Sequence, residues 1–261
     1  MLTATAVAVA CVISAQATAA GAVTATGHTT AQAPRDPVIV VMGTGSFESP
    51  LSILDYNPLL DRLRADGYRV YGYPLPGGGL GDMRQTSASF ARFVDTVLAE
   101  TGARRVDLVG HSQGGLISRY YIKFLGGAHR VDSLVGLGVP HYGSTLANLA
   151  MLFGLLNCLG FPFCQQSETG SEFLRDLNGD DDTFGSVRYT NIATTLDLIV
   201  LPYTNSFQRS PGAVNVTVQD QCPLRIVEHI TLASDSAVYS GIVDALEGRP
   251  ITLECGLLPV L

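Results

Sequence analysis

The chain has 261 residues, of which 46% are hydrophobic and 15% charged, with a net charge of −7. That balance excludes intrinsic disorder, which needs low hydrophobicity and high charge. No run of Lys or Arg is longer than two and the net charge is negative, which argues against a nucleic-acid partner and leaves an anionic membrane no electrostatic pull.

Residues 1–34 carry no charged side chain. A short apolar run from Val7 to Ile13 is followed by small-x-small patterns at Ala15-Gln16-Ala17 and Ala17-Thr18-Ala19. This reads as a signal peptide over 1–20 and a linker over 21–34, which implies a secreted, extracellular protein. The Lys or Arg that usually precedes such an apolar run is missing. No stretch after residue 40 reaches the ~18 uninterrupted apolar residues of a membrane-spanning helix.

The first strand is expected over 37–42, a continuous apolar run of the kind buried on both faces. A short helix follows over 58–65 and a second strand over 68–73. Residues 87–100 place Phe90, Phe93, Val94, Val97 and Leu98 on one helical face, and Gly102 stops that helix. A third strand over 106–109 leads to a helix over 115–125. Further strands are expected over 131–137, 188–192 and 214–218, and a last helix over 236–247. Strands alternating with helices imply an α/β fold, a mostly parallel sheet with helices on both faces. The segment 145–184 interrupts this rhythm. Its apolar residues, Leu146, Leu149, Met151, Leu152, Phe153, Leu155 and Leu156, are too dense for a one-faced helix. It reads as a cap-like insert in one catalytic domain over 35–261.

Gly110-His111-Ser112-Gln113-Gly114 is a G-x-S-x-G pattern between a strand and a helix. That context marks a sharp turn that pushes one hydroxyl out at its tip, so Ser112 is the candidate nucleophile. A serine hydroxyl is a weak nucleophile and needs a base. With such an elbow the chain order is nucleophile, acid, histidine. Of the five histidines, only His229 comes late enough to leave room for an acid. His141 lies on the loop after the fourth strand and is expected to line the pocket. Among the carboxylates between Ser112 and His229, Asp197 is the candidate acid. It stands in Leu196-Asp197-Leu198-Ile199-Val200, and a carboxylate in an apolar setting needs a partner such as an imidazole N–H. Asp220 is the alternative. Asp180, Asp181 and Asp182 read as a solvated turn.

Acyl transfer also needs donors for an oxyanion. The amide after the nucleophile, Gln113, is one. The Thr44 amide, between Gly43 and Gly45, is the other, and the Thr44 hydroxyl could add a third. Without Cys11 of the leader, Cys158, Cys164, Cys222 and Cys255 remain, an even number that suits an oxidising compartment. The short 158–164 spacing suits a local loop, which leaves Cys222–Cys255 as the second pair.

Gly43-Thr44-Gly45, Gly110-His111-Ser112-Gln113-Gly114-Gly115, Asp197-Leu198-Ile199-Val200 and Glu228-His229 together resemble the secreted class 2 lipases of actinobacteria. More distantly they resemble Candida antarctica lipase B, where Cys222 and Cys255 also have counterparts. The resemblance spans about residues 37–257, without much of the insert. It implies an α/β-hydrolase fold, no metal or other cofactor, and hydrolysis of carboxylic esters including triacylglycerols. It also supports roles for Ser112, Asp197, His229, Thr44 and Gln113. Met42 stands where many bacterial lipases have a His-Gly pair, which lies outside the triad.

The expected partner is a lipid or small ester bound by a monomer, with transient contact at a lipid interface. Leu149, Leu152 and Leu156, with Phe161-Pro162-Phe163, would cover an acyl pocket. Two other readings stand beside this one. An acyltransferase or polyester depolymerase would use the same triad. A non-catalytic binding protein of this fold would have lost a triad member, and here all are present.

Overall fold

The computed structural model describes Met1 and residues 35–46, 55–145, 160–179 and 181–256. The chain divides into two units, Met1–Pro34 and Arg35–Leu261. The strands of the second unit are β1 (Val38–Val41), β2 (Val70–Tyr73), β3 (Val106–His111), β4 (Val131–Leu137), β5 (Arg188–Ala193) and β6 (Ala213–Thr217). They form a six-stranded sheet in the order β2-β1-β3-β4-β5-β6, and every pairing is parallel. Parallel neighbours cannot be joined by a hairpin, so each pair needs a crossover connection. The crossovers between β1 and β5 carry α1 (Asn57–Ala65), α2 (Met83–Thr101), α3 (Gln113–Phe124), α4 (Pro162–Gln166) and α5 (Glu172–Asn178), and α6 (Val218–Gln221) and α7 (Ser236–Leu246) follow β6.

Alternate residues of a strand point to opposite faces, and β1 shows what that does here. Ile39 and Val41 pack with Phe90, Val94 and Val97 of α2 and with Leu116, Ile117 and Ile122 of α3. Val38 and Val40 pack on the other side with Leu59, Leu60 and Leu63 of α1 and Val238 and Ile242 of α7. Each such side chain contributes roughly 1.5–3 kcal/mol by leaving water, so the apolar runs become central strands and the one-faced helices cover them.

The element boundaries move where a cap decides them. The α2 helix begins at Met83, four residues earlier than its apolar spacing implies, because the Asp82 carboxylate accepts the Arg84 amide at 2.7 Å and the Gln85 amide at 3.3 Å. The insert holds two short helices that hydrophobic spacing did not reveal, α4 and α5. Phe163 of α4 is buried in the core with Phe173, Leu174 and Leu177 of α5, and Phe161 is partly buried against the same cluster. Leu149, Leu152, Leu156 and Cys158 lie outside the described residues.

The strand order reverses between β1 and β3. In an open α/β sheet such a point leaves a crevice beyond the strands' carboxyl ends, where ligands bind. The loop after β1 begins at Met42, and the residue after β3 is Ser112. Topology alone therefore brings Gly43-Thr44-Gly45 beside the candidate nucleophile.

Candidate active site

β3 ends at His111 and α3 starts at Gln113, so Ser112 alone makes the turn. It does so at φ 51° and ψ −123°, and among the described residues no other non-glycine residue has a positive φ. Such a backbone costs on the order of 1–3 kcal/mol and persists only where its surroundings hold it. Here the Ser112 amide donates to the Leu137 carbonyl at 2.9 Å. The flanking glycines are steric necessities. A Cβ on Gly114 would lie 2.1 Å from the Val41 carbonyl oxygen, and one on Gly110 would lie 2.7 Å from Gly115 Cα.

His229 stands between a hydroxyl and a carboxylate. Its Nε2 lies 2.9 Å from Ser112 Oγ and its Nδ1 lies 2.7 Å from Asp197 Oδ2. Asp197 sits on the loop after β5 with its other oxygen, Oδ1, accepting the Ile199 and Val200 amides at 2.8 Å each. The carboxylate is thereby aimed at the imidazole before any ligand arrives. The His229 loop is pinned from several sides. Thr194 Oγ1 donates to the Val227 carbonyl at 2.8 Å. Buried Arg225 pairs with Asp235 at 2.8 Å and donates to the Cys255 carbonyl at 2.7 Å. Cys255 is in turn bonded to Cys222. Asp220, the alternative acid, is exposed on α6.

The candidate oxyanion loop is held in the same way. Gly45 N donates to the Gly78 carbonyl at 2.9 Å. The Gln113 amide group donates to the Gly79 carbonyl at 2.9 Å, while Gln113 Oε1 accepts the Thr44 hydroxyl. The Thr44 hydroxyl proton is thus already engaged, and the third oxyanion donor expected of it is not free in this arrangement. The Gln113 amide is the first of α3, where the helix dipole favours negative charge.

His141, expected to line the pocket, is instead 1% exposed. Arg119 Nη1 lies 3.1 Å from its Nδ1, and its Nε2 lies 2.8 Å from Asn191 Oδ1. Both ring nitrogens are taken, so it offers no polar atom to a ligand. Burial, then the Arg119 charge, holds its pKa well below the usual histidine range. Asp182, expected on a solvated turn, is 5% exposed. Its carboxylate accepts the Arg209 and Ser210 amides at 2.6 and 3.0 Å and the Tyr142 hydroxyl at 2.7 Å. Burial works to raise its pKa, but hydrogen bonds from Ser210, Arg209 and Tyr142 hold it below the ordinary value.

The structure adds residues that carry no local sequence signal. Ser144 Oγ donates to the Ile199 carbonyl at 2.6 Å and accepts the Leu201 amide at 3.3 Å, clamping the loop that carries Asp197. Tyr56, far from the elbow in sequence, contacts both Gly43 and His111. Among the described residues, no group of three or more His, Cys, Asp or Glu could hold a metal.

The sequence model of the class 2 lipases, Lipase (class 2), matches residues 85–237. The chain belongs to that family. A triacylglycerol lipase of Pseudarthrobacter phenanthrenivorans is 37% identical over 122 residues, covering 44% of this chain and 36% of that protein. One from Burkholderia plantarii is also 37% identical over 122 residues, covering 44% of this chain and 32% of its own length. The chain therefore matches about a third of the length of these relatives. The crystal structure of Aspergillus fumigatus lipase B superposes with a TM-score of 0.68 at 20% identity, over 85% of this chain and 55% of that one. The fold is that of the α/β-hydrolases.

Proposed function

We propose that this class 2 lipase family member is a secreted serine carboxylic ester hydrolase acting on triacylglycerols or simpler esters. The observation that carries the reading is the continuous line from Ser112 Oγ through His229 to Asp197, at 2.9 and 2.7 Å. His229 Nε2 takes the hydroxyl proton as Ser112 Oγ adds to the ester carbonyl carbon. Asp197 holds the imidazole in the tautomer that can accept it and stabilises the imidazolium that forms. The Thr44 and Gln113 amides stabilise the oxyanion. The imidazolium then returns the proton to the departing alkoxide, leaving an acyl-Ser112. Water, deprotonated by His229, releases the acid and restores the serine.

Lipid contact is supported by the surface around this line. The Asp197 loop exposes Leu196, Leu198 (64%) and Leu201, and the His229 loop exposes Leu224 (86%), Ile226 and Ile230. Scattered apolar residues are ordinary on a surface, whereas a group flanking one site marks an apolar partner. The Cys222–Cys255 disulfide supports export to an oxidising compartment. Leu149, Leu152 and Leu156 remain proposed as contacts for the acyl chain.

The test is hydrolysis of p-nitrophenyl butyrate and palmitate side by side. Turnover of both is expected, with Leu152→Ser and Leu156→Ser slowing the palmitate much more than the butyrate. Absence of turnover with every ester, or activity that persists in Ser112→Ala, overturns the reading. Transfer of the acyl group to an added alcohol in preference to water would favour the acyltransferase alternative.

A further inference from the structure

Behind the nucleophile runs a buried chain of hydrogen bonds that the proposed reaction does not use. The Gly43 amide, next to Thr44, donates to the Tyr56 hydroxyl at 2.7 Å. That hydroxyl lies 2.6 Å from His111 Nδ1, and His111 Nε2 lies 2.8 Å from the carbonyl oxygen of His229. The proton positions follow from the ends. The His229 carbonyl can only accept, so His111 Nε2 carries the hydrogen. His111 Nδ1 is then a bare lone pair that accepts the Tyr56 O–H, and the Tyr56 oxygen accepts the Gly43 N–H. A proton on His111 Nδ1 would put two donors on one hydroxyl and strand the phenol's own proton. Burial, then the neighbouring His229 charge, pushes His111 down to about 3, and burial raises the Tyr56 phenol, so both stay neutral.

The chain is also well anchored. Tyr56 immediately precedes α1, whose Leu59, Leu60 and Leu63 are buried. His111 is the last residue of β3 and fully enclosed. Its ring centroid lies 5.1 Å from that of His229.

We propose that Tyr56 and His111 are positioning residues: one relay that fixes the Gly43–Thr44 backbone and the His229 backbone against each other across Ser112. The proposal rests on the serine-hydrolase reading above. It explains why the x of G-x-S-x-G is a histidine here. A neutral imidazole offers one donor and one acceptor on opposite sides of a rigid ring, which is what a bridge between a hydroxyl and a carbonyl requires. The relay keeps both the oxyanion donor and the base in place through each proton transfer, and a displacement of about 1 Å in such a geometry costs on the order of a hundredfold in rate.

The experiment compares kcat and KM for p-nitrophenyl butyrate in Tyr56→Phe, His111→Phe, His111→Gln and the double variant Tyr56→Phe/His111→Phe. Tyr239→Phe, which loses a phenol hydrogen bond to Asp66 outside the site, serves as control. Each relay variant is expected to lose roughly 10–100-fold in kcat, with KM little changed and Tyr239→Phe close to wild type. His111→Gln, which keeps a donor and an acceptor, should recover part of the loss relative to His111→Phe. The double variant should be about as slow as the slower single one, because cutting a chain twice costs little more than cutting it once. Wild-type kcat in Tyr56→Phe, or a double variant whose loss is the product of the single losses, overturns the proposal. A Ser112→Ala enzyme that still turns over would instead overturn the hydrolase reading. Nitrogen-15 NMR of the wild-type protein needs no variant to fold. It should find His111 neutral with hydrogen on Nε2 from about pH 5 to 8, and a protonated ring or an Nδ1–H tautomer overturns the relay.

Discussion

His229 and His141 are both buried, and each has a polar partner on each ring nitrogen, yet only one is placed for proton transfer. The difference is the sign of the partner. At His229 Nδ1 stands the Asp197 carboxylate at 2.7 Å, which can only accept, so Nδ1 carries the hydrogen and Nε2 faces Ser112 Oγ as a lone pair. At His141 Nδ1 stands the Arg119 guanidinium at 3.1 Å, which forbids a second positive charge. Arg119 itself is spent on structure, donating to the Leu177 and Asp182 carbonyls at 3.2 and 2.8 Å and to Asn178 Oδ1 at 3.0 Å. One histidine therefore turns a bare ring nitrogen to the Ser112 hydroxyl, and the other is held neutral as a strut between α3, β5 and the insert.

The largest expected effect is at the nucleophile. Ser112→Ala should lower kcat/KM by roughly 10⁴–10⁶-fold with the melting temperature nearly unchanged, and substantial ester turnover in that variant would remove the distinction between the two regions. Next is the partner that makes His229 different. Asp197→Asn should cost on the order of 10⁴-fold in kcat, because the amide favours the wrong tautomer, whereas Asp220→Asn should leave kcat almost unchanged. The opposite ranking would move the acid to α6.

The same rule can be read in stability at Asp107 of β3, whose partner is not a cation but the Ser133 hydroxyl. Burial, only partly offset by that hydrogen bond, pushes its carboxyl up to about 7. The unfolded chain releases this proton near pH 3.9 and the folded one near 7, so this group's contribution to stability falls as pH rises through that window and is flat above it. Asp107→Asn should therefore match wild type near pH 4 and exceed it near pH 8, by up to about 4 kcal/mol. A difference independent of pH in denaturant titrations would mean that Asp107 ionises normally in the fold.

The smallest effect tests the strut. His141→Phe leaves Arg119 and Asn191 short of a buried partner, at a cost of about 2–3 kcal/mol. The melting temperature should fall by several degrees while the folded enzyme keeps its kcat. A selective loss of kcat with no loss of stability would return His141 to the pocket.

The triad candidates were legible because each sits beside a local pattern. Ser112 lies in its glycine frame between strand and helix, and Asp197 is a lone carboxylate among apolar neighbours. His229 is the histidine late enough for the expected order. The sheet was legible for a similar reason, since a strand buried on both faces is apolar throughout. Asp182 was not, because its partners Arg209, Ser210 and Tyr142 lie 27, 28 and 40 residues away, and a run of aspartates beside Gly179 looks like a solvated turn. His141 was misread for the same cause: Arg119 and Asn191 are 22 and 50 residues distant. The α2 start was missed because one capping side chain, Asp82, overrides apolar spacing. Patterns with a period survive in sequence, whereas pairings made only by folding do not.

The central claim, that Ser112 is a nucleophile activated by His229, is tested most directly by covalent trapping. A p-nitrophenyl alkylphosphonate should release one p-nitrophenolate per chain and leave a single phosphonyl group on Ser112, located by peptide mass spectrometry. Labelling should be abolished in Ser112→Ala and strongly slowed in His229→Ala. A label on another residue, or an enzyme that resists the phosphonate while hydrolysing p-nitrophenyl butyrate, would contradict the account.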